Sequence, residues 1–419
     1  MNEILIRNVQ HQGAATDVLI RGNRIARIAP AQTPPPGAEI IDGTGKAILP
    51  PFYNTHNHAA MTLLRGYADD MELFTWLSKY IWPVEAKLTD EDVYAGTRLA
   101  ILEMIKSGTV FFNDMYWRQL ATVRAAEDMN IRAAVGIMFL ESASGELADE
   151  NKRSNAELDE SRGDFSSRIT VTLSPHAIYT VSEKGLRSAA ERSAAENMIL
   201  HIHVAETEKE AADCRAAHQG LSPVAYLDSL GAVSERMVAA HSVWLDERDF
   251  EIMAARRAVL SHMPCSNLKL NSGRFHSALA WKHGCRITIG TDGCASNNNL
   301  SMFDELKFAT LLAKQDAASP EAIPAARMYH FATQGGAEAF GIDAGIIAEG
   351  KLADAILVDL NNSLLCCGDL VSDMVYSADS SCVDTVICDG KVLMRGHHVD
   401  KEDEIVAAAR ACCRRLTGR

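Results

Sequence analysis

Eight short β-rich runs, four of them leading into polar residues that can bind or polarise, recur between Ile48 and Asp292, and this rhythm restricts the folds open to the chain more than any other feature. The first is the apolar run Ala47-Ile48-Leu49-Pro50-Pro51-Phe52, which leads into Asn54-Thr55-His56-Asn57-His58. The others are Gly108 to Asp114, Ile131 to Leu140, Arg168 to Pro175, Asn197 to Glu206, Met237 to His241, Ala258 to Pro264 and Arg286 to Asp292. Between them lie Ala-, Glu- and Arg-rich stretches with helical spacing. Eight strands alternating with helices over roughly 250 residues predict an α/β fold, a (β/α)8 TIM barrel, whose functional side chains gather at the carboxyl ends of the strands. A doubly wound open sheet is the rival, but it would carry an early glycine-rich phosphate loop. No Gly-x-Gly-x-x-Gly follows the first run.

The polar endings carry the chemistry. His56 and His58 stand two apart, so an extended strand presents both imidazoles on one side. In His201-Ile202-His203-Val204-Ala205-Glu206 a glutamate follows His203 by three residues, the pairing expected when one group holds a metal and its neighbour moves protons. His201 shares parity with His203 and competes for the ligand role; the position of Glu206 favours His203. Met237 to His241 and Arg286 to Asp292 supply a further imidazole and a carboxylate. Each of these residues also has an ordinary structural role open to it: Glu206 at a helix start, His241 in the core, Asp292 as an N-cap. Their joint placement at strand ends favours a site.

The chain ends read differently. Residues 3 to 49 alternate short strands with turns around Pro34-Pro35-Pro36-Gly37, and residues 346 to 396 do the same up to the turn Asp389-Gly390 and Lys391-Val392-Leu393-Met394. Neither set buries a core alone, so the two are expected to pack together as one small β-sandwich beside the barrel. The expected domains are 1–50 (sandwich, first part), 51–345 (barrel) and 346–419 (sandwich, second part, with a final helix from Glu402 to Leu416).

The balance of 41 Lys and Arg against 55 Asp and Glu gives a net charge of −14, which repels phosphate backbones and argues against a nucleic-acid partner. No run of about 18 apolar residues and no leader pattern is found, so no membrane partner and a cytoplasmic location are expected. The 10 cysteines contain no Cys-x-x-Cys and read as small buried hydrophobes in a reducing compartment. Assembly into a homo-oligomer stays open.

These residues resemble the metal-dependent amidohydrolase superfamily in its mononuclear deaminase and chlorohydrolase branch. The resemblance rests on Asn54-Thr55-His56-Asn57-His58, His203-Val204-Ala205-Glu206-Thr207, Ala240-His241 and Thr291-Asp292-Gly293. Trp76-Leu77, Trp82-Pro83-Val84-Glu85, Ser174-Pro175-His176, Ser266-Asn267-Leu268-Lys269 and Asp292-Gly293-Cys294-Ala295-Ser296-Asn297-Asn298 narrow it to the 5'-methylthioadenosine/S-adenosylhomocysteine deaminase group. It runs from about residue 3 to 395. The resemblance implies a metal held by His56, His58, His203 and Asp292. Neutral imidazoles with one carboxylate suit Zn²⁺, and ligand type alone also admits Fe²⁺. Some relatives bridge two metals with a modified lysine on the fourth strand; Ile169 to Pro175 has no lysine, so one metal is expected.

The implied reaction is hydrolytic deamination of a 5'-substituted adenosine (5'-methylthioadenosine, adenosine, 5'-deoxyadenosine or S-adenosylhomocysteine) to the inosine analogue and ammonia. Glu206 protonates the ring nitrogen, Asp292 takes the proton from the attacking water and His241 steadies the attacking oxygen. The resemblance also implies substrate contacts from Glu85 (ribose hydroxyls), His176 (purine and sugar) and Trp76 (the 5'-group). Relatives that grip the amino-acid carboxylate of S-adenosylhomocysteine carry an arginine near the end of the third strand, where Ile137 stands here; Arg153 is expected to match a second family arginine. Losing one arginine favours neutral 5'-groups. Two alternatives are kept: the same fold acting on a triazine, guanine or related heterocycle, and a non-catalytic barrel.

Overall fold

The computed structural model describes residues 3–71, 73–141 and 145–418. The amino-terminal strands are β1 (Glu3–His11), β2 (Ala14–Arg21), β3 (Arg24–Ala29), β4 (Glu39–Asp42) and β5 (Lys46–Leu49). The central strands are β6 (Phe52–Asn57), β7 (Thr109–Asp114), β8 (Arg132–Phe139), β9 (Ile169–Pro175), β10 (Leu200–Val204), β11 (Met237–His241), β12 (Val259–His262) and β13 (Arg286–Ile289). After them come β14 (Ala355–Asp359), β15 (Val383–Cys388) and β16 (Lys391–Met394).

Strands β6 to β13 pair in sequence order, every pair parallel. They are buried almost throughout, as a parallel sheet covered by helices requires. The circle closes where the Thr291 and Asp292 N–H groups donate to the His56 carbonyl at 3.2 and 3.1 Å. Glycine is needed at this seam: a Cβ on Gly290 would stand 2.8 Å from the His56 nitrogen. This is the (β/α)8 barrel anticipated from the repeat.

The apolar run Ala47 to Phe52 is not one strand, as the sequence suggested, but two. β5 ends at Leu49 and belongs to the other sheet, and the first barrel strand starts only at Phe52. Pro50 and Pro51 lack the N–H that a ladder needs, so pairing breaks there and the chain passes from one sheet to the next.

The chain ends meet in one mixed sheet of order β16-β15-β14-β5-β1-β2-β3, with β4 on β1. The join is antiparallel β5–β14, with Leu49 opposite Ile356 and Ala47 opposite Val358. The two strand sets therefore form one continuous sheet over a shared apolar interior that includes Ile4, Ile6, Val18, Ile20, Ile48 and Leu357. Buried Arg132, the first residue of β8, fastens this sheet to the barrel. Its guanidinium donates to both Asp354 oxygens (2.8 and 3.1 Å) and to Asp389 Oδ1 (2.7 Å), while Tyr53 Oη donates to Asp354 Oδ2 (2.9 Å). The tie lies at the amino ends of the strands and leaves the opposite mouth open for chemistry. The terminal helix Glu402–Thr417 clamps the helix Asp90–Lys106 through Lys106–Glu402 at 2.8 Å, Arg98–Glu404 at 3.2 Å and Arg415–Asp92. No described helix is long and apolar enough to cross a membrane.

Candidate active site

Just past or at the carboxyl ends of β10, β11 and β13 the backbone enters the left-handed region, at Ala205, His241 and Asp292. His241 and Asp292 have φ of 68° and 62°, in the left-handed region that costs a non-glycine residue energy. These bends direct both side chains to the barrel axis, where His56, His58 and His203 converge. The ring of His56 lies 4.9 Å from those of His58 and His203, centroid to centroid.

Hydrogen bonds behind the rings set the ligand atoms. A backbone carbonyl only accepts, so His58 Nδ1–H donates to Met115 O (2.6 Å) and His203 Nδ1–H donates to His176 O (2.7 Å). Both Nε2 atoms are then free to act as ligands, and they face each other at 3.4 Å. His56 Nε2 is buried with no hydrogen-bond partner among the described residues, and its Nδ1 bonds His201 Nε2 at 2.8 Å. Asp292 Oδ1 lies 3.4 Å from His56 Nε2 and 3.2 Å from His58 Nε2. Burial opposes charge on His58, yet Asp292 outweighs it and holds that imidazole up at about 9, whereas burial holds His56 down at about 3. Three imidazole nitrogens and a carboxylate crowded this closely attract positive charge, and the donor set fits a single divalent metal. His201, the competing candidate, sits one layer down the strand, where it supports His56 from behind.

The remaining chemical groups are held rigidly. Asp292 Oδ2 accepts from Ser266 Oγ (2.6 Å) and Ser296 Oγ (2.8 Å), and Oδ1 also accepts the Gly293 N–H (2.8 Å). Its carboxyl is held well below the usual range: burial works against the charge, and the histidines beside it win. His241 Nδ1 bonds Asn267 Oδ1 at 2.9 Å and Nε2 lies 3.9 Å from Glu206 Oε2. Burial raises the Glu206 carboxyl. Glu206 is not needed as a helix cap: Thr207 caps the following helix Glu208–Ala217, and Glu210 accepts the N–H groups of Ala205 and Glu206 at 2.8 Å each.

One pocket opens onto this cluster, and Trp76, Glu85, His176 and Glu206 line it together with His58, His203, His241 and Asp292. The helical turns Leu73–Trp76, Leu77–Ile81 and Trp82–Glu85 bring Trp76 and Glu85 over the barrel mouth. Glu85 Oε1 is buried without a hydrogen-bond partner among the described residues, and burial raises its carboxyl. The Thr180 hydroxyl donates to Ala177 O and so accepts from His176 Nδ1–H at 2.9 Å. That leaves His176 Nε2 as an acceptor toward the pocket.

Arg153 is placed elsewhere. Its side chain is 70% exposed, 3.8 Å from Glu157 on the helix Asp149–Ser161, and it lines neither the pocket nor the outer chamber beyond it. The reason is helical phase: Asn151 and Ser154 face the chamber, and the intervening positions turn to solvent. Ile137 is buried in β8. The cation that does line the chamber is Arg118, singled out by no sequence motif, and it is occupied by Asp90 and Glu150 at 2.6 Å each. Sequence reasoning also assigned no role to Ser266, Asn267 or Ser296. They stood inside the quoted motifs, which was the available signal.

A parallel barrel that gathers three imidazoles and a carboxylate at its carboxyl-end mouth defines a metal-dependent barrel hydrolase. Residues 47–393 match the Amidohydrolase family, and the chain belongs to it as a hydrolase acting on C–N bonds. It is 46% identical over 384 residues to 5-methylthioadenosine/S-adenosylhomocysteine deaminase 1 of Archaeoglobus fulgidus, covering 90% of each chain. It is 42% identical over 405 residues to 5'-deoxyadenosine deaminase of Methanothermobacter thermautotrophicus, covering 96% of this chain and 95% of that one. Among solved structures, an adenosine deaminase from Xanthomonas campestris with bound zinc superposes with a TM-score of 0.92 at 33% identity, over 100% of this chain and 98% of that one. The atrazine chlorohydrolase of Arthrobacter aurescens, at 21% identity and a TM-score of 0.88, shares the fold.

Proposed function

We propose that the protein hydrolytically deaminates a 5'-substituted adenosine, releasing ammonia and the inosine analogue, with one Zn²⁺ held by His56, His58, His203 and Asp292. One observation carries this reading: a single pocket joins His58, His203 and Asp292 of the ligand cluster, a buried Glu206 whose carboxyl burial raises, and the unpaired carboxylate oxygen of Glu85. The deaminase names of the relatives and the zinc in the Xanthomonas structure support it. Ten free cysteines fit the reducing cytoplasm in which we place the enzyme.

When held by His56, His58, His203 and Asp292, a divalent cation would supply Lewis acidity for the activation of water. Asp292 takes a proton from the attacking water, its carboxylate kept ionised by the histidines around it. With Nδ1–H directed at Asn267, His241 accepts a hydrogen bond from that water through Nε2 and aims its lone pair. Glu206 delivers a proton to the ring nitrogen, so that charge developing on the ring is neutralised, and later helps ammonia depart. Glu85 accepts from the ribose hydroxyls, His176 contacts the purine and sugar, and Trp76 walls the 5'-group. Ammonia release across 5'-deoxyadenosine, guanine and a triazine tests the assignment; activity confined to the latter two would overturn it.

Two substrate preferences follow. Losing a hydrogen bond to a charged acceptor costs on the order of 1.5–3 kcal/mol, so 2'-deoxy nucleosides should show kcat/KM about tenfold to more than a hundredfold below their ribo counterparts. Equal values would remove Glu85 from the ribose. The outer chamber has no spare cation among the described residues, since Arg118 is doubly paired and Glu141 and Glu150 also line it. A substrate carboxylate entering there meets acidic groups and loses its hydration. 5'-Methylthioadenosine and 5'-deoxyadenosine should therefore exceed S-adenosylhomocysteine by about tenfold in kcat/KM, and a preference for S-adenosylhomocysteine in the same assay would refute this account of the chamber.

A further inference from the structure

We infer that Glu305, four residues into the helix Met302–Asp316, is a positioning residue that sets the metal-facing orientation of Asp292 without touching it. The helix is started by Ser301, whose side chain accepts the Asp304 N–H, and this start drives Glu305 into the protein, where it is fully buried. Its two oxygens go to different segments. Oε2 accepts the Cys265 N–H at 3.1 Å and Oε1 accepts from Asn297 Nδ2 at 2.6 Å. Cys265 and Asn297 are the chain neighbours of Ser266 and Ser296, the two hydroxyls that hold Asp292 Oδ2.

Two carboxylates thus cross-link the same pair of segments one residue apart. Asp292 bridges 266 to 296, and Glu305 bridges 265 to 297. Asn297 adds a third strut, donating to the Thr291 carbonyl at 2.7 Å next to Asp292 itself. With Oδ2 saturated from both sides, Oδ1 is the oxygen left toward His56 and His58. Burial pushes the Glu305 carboxyl up to about 8, while the donors at Cys265 and Asn297 favour its ionised form. A buried carboxylate satisfies two N–H donors at once, whereas an amide must turn its NH₂ against one of them. Lys269 Nζ also ties the two segments, donating to Ala295 O and Asn298 Oδ1, so loss of the Glu305 bridge loosens them at the 265 and 297 end, next to the two serines that hold the carboxylate angle. Orientation of a ligand by its outer partners is worth about tenfold to a hundredfold in metal affinity.

This inference rests on Asp292 being a metal ligand, and the test separates the two. Zinc affinity of the full-length protein is measured by competition with a chromophoric chelator, alongside kcat and KM at saturating zinc, for Glu305→Gln, Asn297→Ser and Asp292→Asn. Expected for both of the first two is zinc binding weakened about tenfold or more in protein that is still folded, with kcat reduced and KM for the nucleoside little changed. Asn297→Ser cuts the bridge from the loop side and keeps the test decisive where Glu305→Gln does not fold. Zinc affinity and kcat within about twofold of the parent in folded variants would overturn the positioning role, the melting temperature alone having moved. Parental zinc affinity in Asp292→Asn would instead sink the ligand assignment.

Discussion

Glu206→Gln is expected to lower turnover of 5'-deoxyadenosine by about 10²-fold or more while the protein keeps its full metal content. Glutamine has nearly the same shape, so packing around the site stays as it is; what disappears is the proton that must move to the ring nitrogen. The backbone at this point is anchored independently, since the Glu206 N–H is held by Glu210 Oε2 at 2.8 Å and Thr207 caps the next helix. Burial raises the Glu206 carboxyl, so the group is suited to holding a proton between steps. Because the lost interaction belongs to the transition state, kcat should fall with little change in KM. Turnover close to the parent's, with metal bound, would take Glu206 out of the proton path.

Removing a ligand should act on the metal itself. His56→Ala and His203→Ala each delete one of few neutral donors, and elemental analysis should find zinc largely lost, with activity lost alongside it. The cost should exceed the roughly 10–100-fold that removal of an outer-shell partner brings. The controls are His262→Ala and His276→Ala. His262 packs 4.5 Å from the Phe275 ring and His276 pairs with Asp316 at 3.0 Å, and both should retain metal. Full zinc in either ligand variant would dismantle the proposed centre.

Much of this architecture is legible in the chain because strands and helices impose different periods. β6, β10, β11 and β13 announce themselves as short apolar runs, and the candidate donors His56, His58, His203, His241 and Asp292 sit where those runs end. A barrel converts that one-dimensional regularity into a common mouth. Other features have no local signature. Arg153 and Arg118 are both basic residues in polar surroundings; only helix phase sends the first to solvent, and only the loop after β7 sends the second to the chamber. The apolar run at 47–52 looks continuous until strand partners are known, and β14, some 300 residues on, claims half of it.

Residue types and their spacing thus determined the fold class and which residues stand as candidates for the metal centre and the proton transfer, since these depend on periods and side-chain chemistry carried within short segments. Tertiary structure alone decided which oxygen of Asp292 faces His56 and His58, that His201 stands behind His56, and that Glu305 ties Cys265 to Asn297. Those outcomes depend on distances of about 3 Å between residues tens to hundreds of positions apart, and hydrogen bonds of that reach exist only once the barrel has closed.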